Sequence, residues 1–260
     1  MKKQEKTVNM ENWKFPQQSA YTTQETIEVN AVSDVRKFMV SVFTYMTIAL
    51  ILTALTSYFL AQSEAFLSAV YRTLPEGGIK PTLFGYIVMF SPLIMVIVMG
   101  AGFRRMSFPA IFAMFFVYSV VMGMSLTSIF FIYTGAVLFK TFLITSATFG
   151  IMAVAGYTTK TDLTKFGAIL MMALIGVIIA SVVNMFWYSG TLDMIISIVG
   201  VLIFTGLVAY DIQKLKRIAE GSEYGSDNTN KLAVFGALNL YLDFVNLFLF
   251  LLRFMGNSRD

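Results

Sequence analysis

Seven runs of roughly twenty apolar residues, joined by short polar connections, constrain this chain more than any other feature. A run of that length matches the hydrocarbon core of a bilayer. Lipid offers no partner to a backbone N–H or C=O, so each run must satisfy its own polar groups as a helix. The runs cover approximately residues 38–60, 82–103, 107–133, 136–157, 166–188, 192–213 and 232–252. The expected fold class is an all-α integral membrane protein, a seven-transmembrane-helix bundle. Short connections make neighbouring helices antiparallel. Composition agrees: 57% of residues are hydrophobic and 13% charged, where a soluble domain carries about 25% charge.

Cysteine and histidine are both absent. Without Cys there is no disulfide, thiol nucleophile or thiolate metal site. Without His the commonest general base and transition-metal ligand is missing. Proton or cation chemistry is left to carboxylates and other oxygens. No glycine-rich phosphate cradle occurs, and no enzyme is expected. The net charge of +4 reflects Lys and Arg between the apolar runs, so no nucleic-acid partner is expected.

Residues 1–33 are rich in Gln, Thr, Glu and Asn and form an expected flexible cytoplasmic tail ahead of a membrane domain over 34–260. Met1-Lys2-Lys3 is not followed by an apolar segment, so the start does not read as a signal peptide. One set of loops carries Arg36, Lys37, Arg104, Arg105, Lys160, Lys165, Lys214, Lys216, Arg217 and Lys231. The other set carries Arg72, Lys80 and Lys140. The positive-inside rule then puts the amino terminus in the cytoplasm of a plasma-membrane protein. Seven full crossings put Arg253 and Arg259 outside; a last helix that enters and returns would put them inside.

Two aspartates lie in the last two runs. Asn239, Asp243 and Asn246 fall at i, i+4 and i+7, one narrow face of an otherwise apolar helix. Such a stripe faces a bundle interior or a water-filled cavity. Asp211, preceded by Tyr210, sits nearer the end of its run, with Lys214, Lys216 and Arg217 just beyond. If that helix ended at Lys214, Asp243 would lie on the order of 16 Å deeper than the surface and miss it. A helix that continues to about Ile218 would let the two meet. Two carboxylates that meet cannot both ionise cheaply, so they hold a proton or a cation. Asp193, at the far end of the same run, reads as a cheap interfacial charge.

Small residues mark expected helix contacts: Ser119, Gly123 and Thr127 on one run, Ser146 and Gly150 on the next. Ser91-Pro92 frees a carbonyl inside the second run. An intramembrane aspartyl protease would also place aspartates on two helices, one in Tyr-Asp. The second would need Gly-x-Gly-Asp, where this chain has Leu240-Tyr241-Leu242-Asp243, and no Pro-Ala-Leu follows.

Tyr210-Asp211-Ile212-Gln213, followed after a polar loop by Ala237-Leu238-Asn239-Leu240-Tyr241-Leu242-Asp243-Phe244-Val245-Asn246-Leu247-Phe248, resembles the transmembrane Bax inhibitor motif family, its bacterial branch above all. The resemblance implies that the last helix is central to the bundle. It also implies a pH-sensitive calcium leak gated by paired aspartates, which map onto Asp211 and Asp243. The calcium site would be weak, with Asn239, Asn246 and Tyr210 as supporting polar groups and calcium as permeant ion rather than bound cofactor. Some members latch the pair with a basic residue on the second helix. No charge lies between Lys80 and Arg104 here, so Tyr86, Ser91 or the backbone at Pro92 would have to substitute. Some bacterial relatives instead act as partners of a membrane protease through the amino-terminal tail. Residues 1–33, with Trp13, Phe15 and Tyr21, would serve that role.

Overall fold

The computed structural model describes residues 17–74, 78–222 and 225–256, with side chains from residue 33 onward. Residues 1–16 of the expected tail, Trp13 and Phe15 among them, lie outside the described residues, as does Arg259; from Gln17 onward the rest of the tail is helical backbone continuous with the first span. Seven described helices are long and apolar enough to cross a membrane. They are α1 (Gln17–Leu60, apolar from Ser33), α3 (Leu83–Gly102), α4 (Phe108–Leu126), α6 (Gly135–Thr158), α7 (Thr164–Phe186), α8 (Gly190–Glu220) and α9 (Asp227–Gly256). A short α5 (Ile129–Ile132) extends the α4 span.

The connection after α1 holds structure that hydropathy alone does not announce. Helix α2 (Glu64–Val70) leads into an antiparallel hairpin, β1 (Tyr71–Thr73) and β2 (Ile79–Pro81), with Arg72 opposite Lys80. Ser63 caps α2 by accepting from the Phe66 N–H, and Thr82 caps α3 by accepting from the Gly85 N–H. The Thr82 hydroxyl also donates to the Ala69 carbonyl at 2.6 Å, which ties the hairpin to the start of α3.

Helix α9 is the centre of the bundle, packed on α1, α4, α6 and α8. Its Tyr241 is fully buried, edge-on to Phe115 and Tyr118 of α4. The Tyr241 hydroxyl shares a 2.7 Å hydrogen bond with Thr53 Oγ1 of α1. Thr53 also donates to the Ser119 carbonyl at 2.8 Å. Three helices thus meet at one satisfied polar node, which is how a hydroxyl is tolerated in an apolar core.

The small-residue row on α4 behaves as expected. Ser119, Gly123 and Thr127 are buried, and a Cβ on Gly123 would strike the Thr53 carbonyl and Thr56 of α1. On α6 the expectation needs correction. Gly150 is exposed and its missing Cβ faces open space. The packed row is one residue over: Thr145, Phe149, Ala153 and Gly156. Gly156 presses on the Ala209 backbone of α8 closely enough that no Cβ fits. Both rows have helical three-to-four-residue spacing; the register of packing selects between them. The carbonyl freed by Pro92 is that of Val88, and the Ser91 hydroxyl donates to it at 2.9 Å within an unbroken α3.

Helix α9 crosses the bundle without a break. Its Arg253 reaches Asp193, at the start of α8, on the side opposite Lys214. The alternative of a last helix that enters and returns is thereby excluded.

Candidate functional site

Two helices bring the paired carboxylates together. Helix α8 does not end at Lys214 but runs on to Glu220, more than two turns past Asp211. Those turns are amphipathic: Ile212, Leu215 and Ala219 are buried while Lys214 and Arg217 are exposed. The added length sets Asp211 inside the bundle. Asp243 lies near the middle of the 30-residue α9. The two carboxyls face each other within hydrogen-bonding reach. Asp243 is 6% exposed, and no described group donates to its Oδ2 beyond a proton that the pair could carry. A buried carboxylate oxygen without a donor is costly, and such groups persist chiefly at sites that use them.

The pair opens on a cleft of about 630 Å³ between α7, α8 and α9. The polar stripe of α9 lines it, with Asn239 and Asn246 flanking Asp243. Asn246 Nδ2 donates to the Leu242 carbonyl at 2.8 Å, so its amide oxygen is left for the cleft. Tyr210 also lines the cleft, and its ring lies against Gly167 of α7, which has no Cβ to obstruct it. The remaining wall is apolar, with Leu174, Val177, Phe204, Leu207 and Phe250 among its residues.

No residue of α3 lines this cleft, and the substitutes expected for a basic latch are engaged elsewhere. The Ser91 hydroxyl is spent on Val88, and Tyr86 is half exposed. Lys214 is the cation that lines the cleft among the described residues. Its Nζ lies 5.9 Å from the Tyr210 ring centroid. In the sequence Lys214 stands just beyond Asp211, where it can pair with that carboxylate or bias the aspartate pair as well as mark the topology. Its position one turn after Asp211, on the same helix face, was the available signal.

Two polar locks bracket the cleft. At the Lys214 side Gln213, only 6% exposed, accepts from the Leu163 N–H at 2.9 Å and donates to the Thr161 carbonyl at 2.8 Å. Arg217 reaches Gln213, Thr164 and Asp162 at 2.7–2.9 Å. The loop between α6 and α7 is thereby clipped to α8, two residues after Asp211. Hydrogen bonds from the Thr164 hydroxyl and N–H, then from Arg217, hold Asp162 below the usual carboxylate range.

At the other side Asp193 is buried, not a cheap interfacial charge. It accepts from Asn184 of α7 at 3.1 Å and pairs with Arg253 of α9. Sequence spacing gave no sign of this triad, because its members come from three helices.

Comparison with known proteins agrees with this architecture. The family model described as inhibitor of apoptosis-promoting Bax1 matches residues 35–260. The inner membrane protein YbhL of Escherichia coli K12 is 41% identical over 223 residues, covering 85% of this chain and 92% of that protein. Protein RP147 of Rickettsia prowazekii is 41% identical over 228 residues, 86% of this chain and 91% of its own. A Deinococcus radiodurans protein is 36% identical over 248 residues, 95% and 99% of the two chains. Seven membrane-span helices, a central α9 and a match over nearly the whole chain lead to one conclusion: this protein belongs to the Bax inhibitor-1 family.

Proposed function

We propose that this protein is a pH-sensitive calcium leak of the bacterial inner membrane, with Asp211 and Asp243 as its proton- and cation-binding pair and its amino terminus in the cytoplasm. The observation that supports this reading is the facing of two carboxyls on a cleft lined by Asn239 and Asn246. Sharing one proton, the pair carries a single negative charge. Losing that proton makes a doubly negative site, which favours a hard divalent cation with flexible oxygen ligands. Two carboxylates and two amide oxygens form a weak site, and weak binding suits passage better than retention. Among the described residues no third carboxylate joins them to make a storage site.

Calcium flux into liposomes holding the purified protein, measured from about pH 5 to 8 with Asp211→Asn and Asp243→Asn alongside, tests it. The expected result is a pH-dependent flux whose pH dependence disappears in both variants. Flux no greater than that of empty liposomes, from folded protein, would overturn the reading. The amino-terminal tail as a partner-binding segment would then lead.

A further inference from the structure

One narrow face of α9 carries Asn239, Asp243, Asn246, Phe250 and Arg253. One narrow face of α8 carries Asp193, Ser197, Gly200, Phe204 and Asp211. Both faces are polar towards either end and are broken at the same layer by an aromatic residue. The Phe204 and Phe250 rings stack there, with centroids 5.7 Å apart and 27° between their planes. The Phe250 ring also lies over Gly200 so closely that no Cβ fits. In that layer, ring packs on ring and on bare backbone.

A polar recess lies on each side of the layer. On the Lys214 side is the carboxylate cleft, which reaches no further along α8 than Phe204 and no further along α9 than Phe250. Its α7 wall extends to Met185, next to the Asn184 that donates to Asp193. On the other side a recess of about 220 Å³ is lined by Tyr133, Asp193 and Arg253 among its residues. At 1.5 Å rise per residue, Phe250 is about 6 Å along α9 from Asn246 and about 4.5 Å from Arg253. A single ring layer therefore separates the two recesses along this helix. Polar side chains on membrane-spanning helices mark ion and water pathways, and an apolar constriction between them blocks ions by excluding water.

We infer that Phe250, stacked on Phe204 and seated on Gly200, is the hydrophobic gate between the aspartate pair and the Asp193–Arg253 recess. The identity of the ion that crosses it rests on the calcium-leak reading; the gate itself concerns water and is tested without calcium. Opening requires the Phe250 ring to leave Gly200, and the cleft that the ring already lines offers the space to receive it. The Asp193–Arg253 pair lies beyond the ring and ties helix ends together, so it is not the barrier.

The chain has no cysteine, so an introduced one reports alone. Asn246→Cys, on the cleft side of the layer, is exposed to a membrane-impermeant cationic methanethiosulfonate in right-side-out and in inverted vesicles. Labelling is expected from the Lys214 side only. Phe250→Asn and Phe250→Leu, close in size and opposite in polarity, are then compared in that background, with thermal unfolding to confirm that each is folded. Asn is expected to admit the reagent from the Arg253 side as well, and Leu to keep it out. With the ring intact, Arg253→Gln should leave that side closed, which holds the test open should the Phe250 variants not fold. Labelling from the Arg253 side with Phe250 in place would overturn the inference, and so would no labelling from the Lys214 side. Equal behaviour of Asn and Leu, or entry opened by Arg253→Gln alone, would also overturn it. If liposomes show no calcium flux while the expected labelling holds, the calcium reading falls and the gate stands.

Discussion

Arg253 and Asp193 join the last turn of α9 to the first turn of α8, with Arg253 Nε donating to Asp193 Oδ2 at 2.7 Å. Asn184 brings α7 to the same carboxylate, and the Ser197 hydroxyl donates to the Asp193 carbonyl at 2.8 Å. Three helix ends are thus held by one carboxylate on the side of the bundle away from Lys214.

Removing one member of this group strands the others. Arg253→Ala leaves a mostly buried carboxylate with a single amide donor. A fully buried pair would lose about 3–5 kcal/mol; the partial exposure of Arg253 reduces the expected loss to about 2 kcal/mol. Thermal unfolding in detergent checks it, and Arg253→Ala with Asp193→Asn together should cost less than the sum of the two. Additive losses would show that the pair does not couple.

Gln213→Leu should release the loop between α6 and α7. The Leu163 N–H and Thr161 carbonyl lose their partner, at about 1–3 kcal/mol for each group left buried. Hydrogen exchange should quicken at 161–164 and leave the middle of α9 unchanged. Unaltered exchange at Leu163 would refute the clip.

Asp162 sets a pH dependence at the same lock. Its folded value is depressed by Thr164 and Arg217, so its contribution is present above the ordinary Asp value of about 3.9 and is lost as pH falls through the lower folded value. The melting temperature of the Asp162→Asn variant should therefore lie below that of the parent at neutral pH, with the gap closing in acid. The gap will be small, because the group is exposed. A gap that does not change with pH would remove Asp162 from the account.

Gly156→Ala should disturb the pair from a distance. The added methyl meets the Ala209 backbone, which has no rotamer with which to yield, so α6 and α8 must separate. A loss of about 1–3 kcal/mol is expected. Because Asp211 lies two residues from Ala209, the pH profile of any flux should shift with it. Gly150→Ala, six residues earlier on the same helix and facing open space, is the matched control and should be neutral.

Asp243→Asn separates use from packing. The Asp243 Oδ2 has no donor among the described residues apart from the facing carboxyl, so replacing it gives up no other hydrogen bond. The variant is expected to be at least as stable as the parent while losing pH-dependent flux. A marked loss of stability would mean that the carboxylate is there for packing.

Much of this protein was legible in the chain. Hydrocarbon thickness sets helix length, so residue counts alone located seven spans. The i, i+4, i+7 spacing of Asn239, Asp243 and Asn246 placed them on one face, because a helix has a fixed period. The facing of Asp211 and Asp243 is only conditional in the sequence, since it depends on where α8 ends. Hydropathy falls at Lys214, but the helix continues, because Ile212, Leu215 and Ala219 still find a core to bury in. Only the tertiary structure decided which of two small-residue rows on α6 packs inward. It alone showed that Asp193 is buried against Arg253. Periodicity is a property of one helix and can be read along the chain. Partnership between helices depends on their relative rotation and depth, which follow from the packing of all seven together.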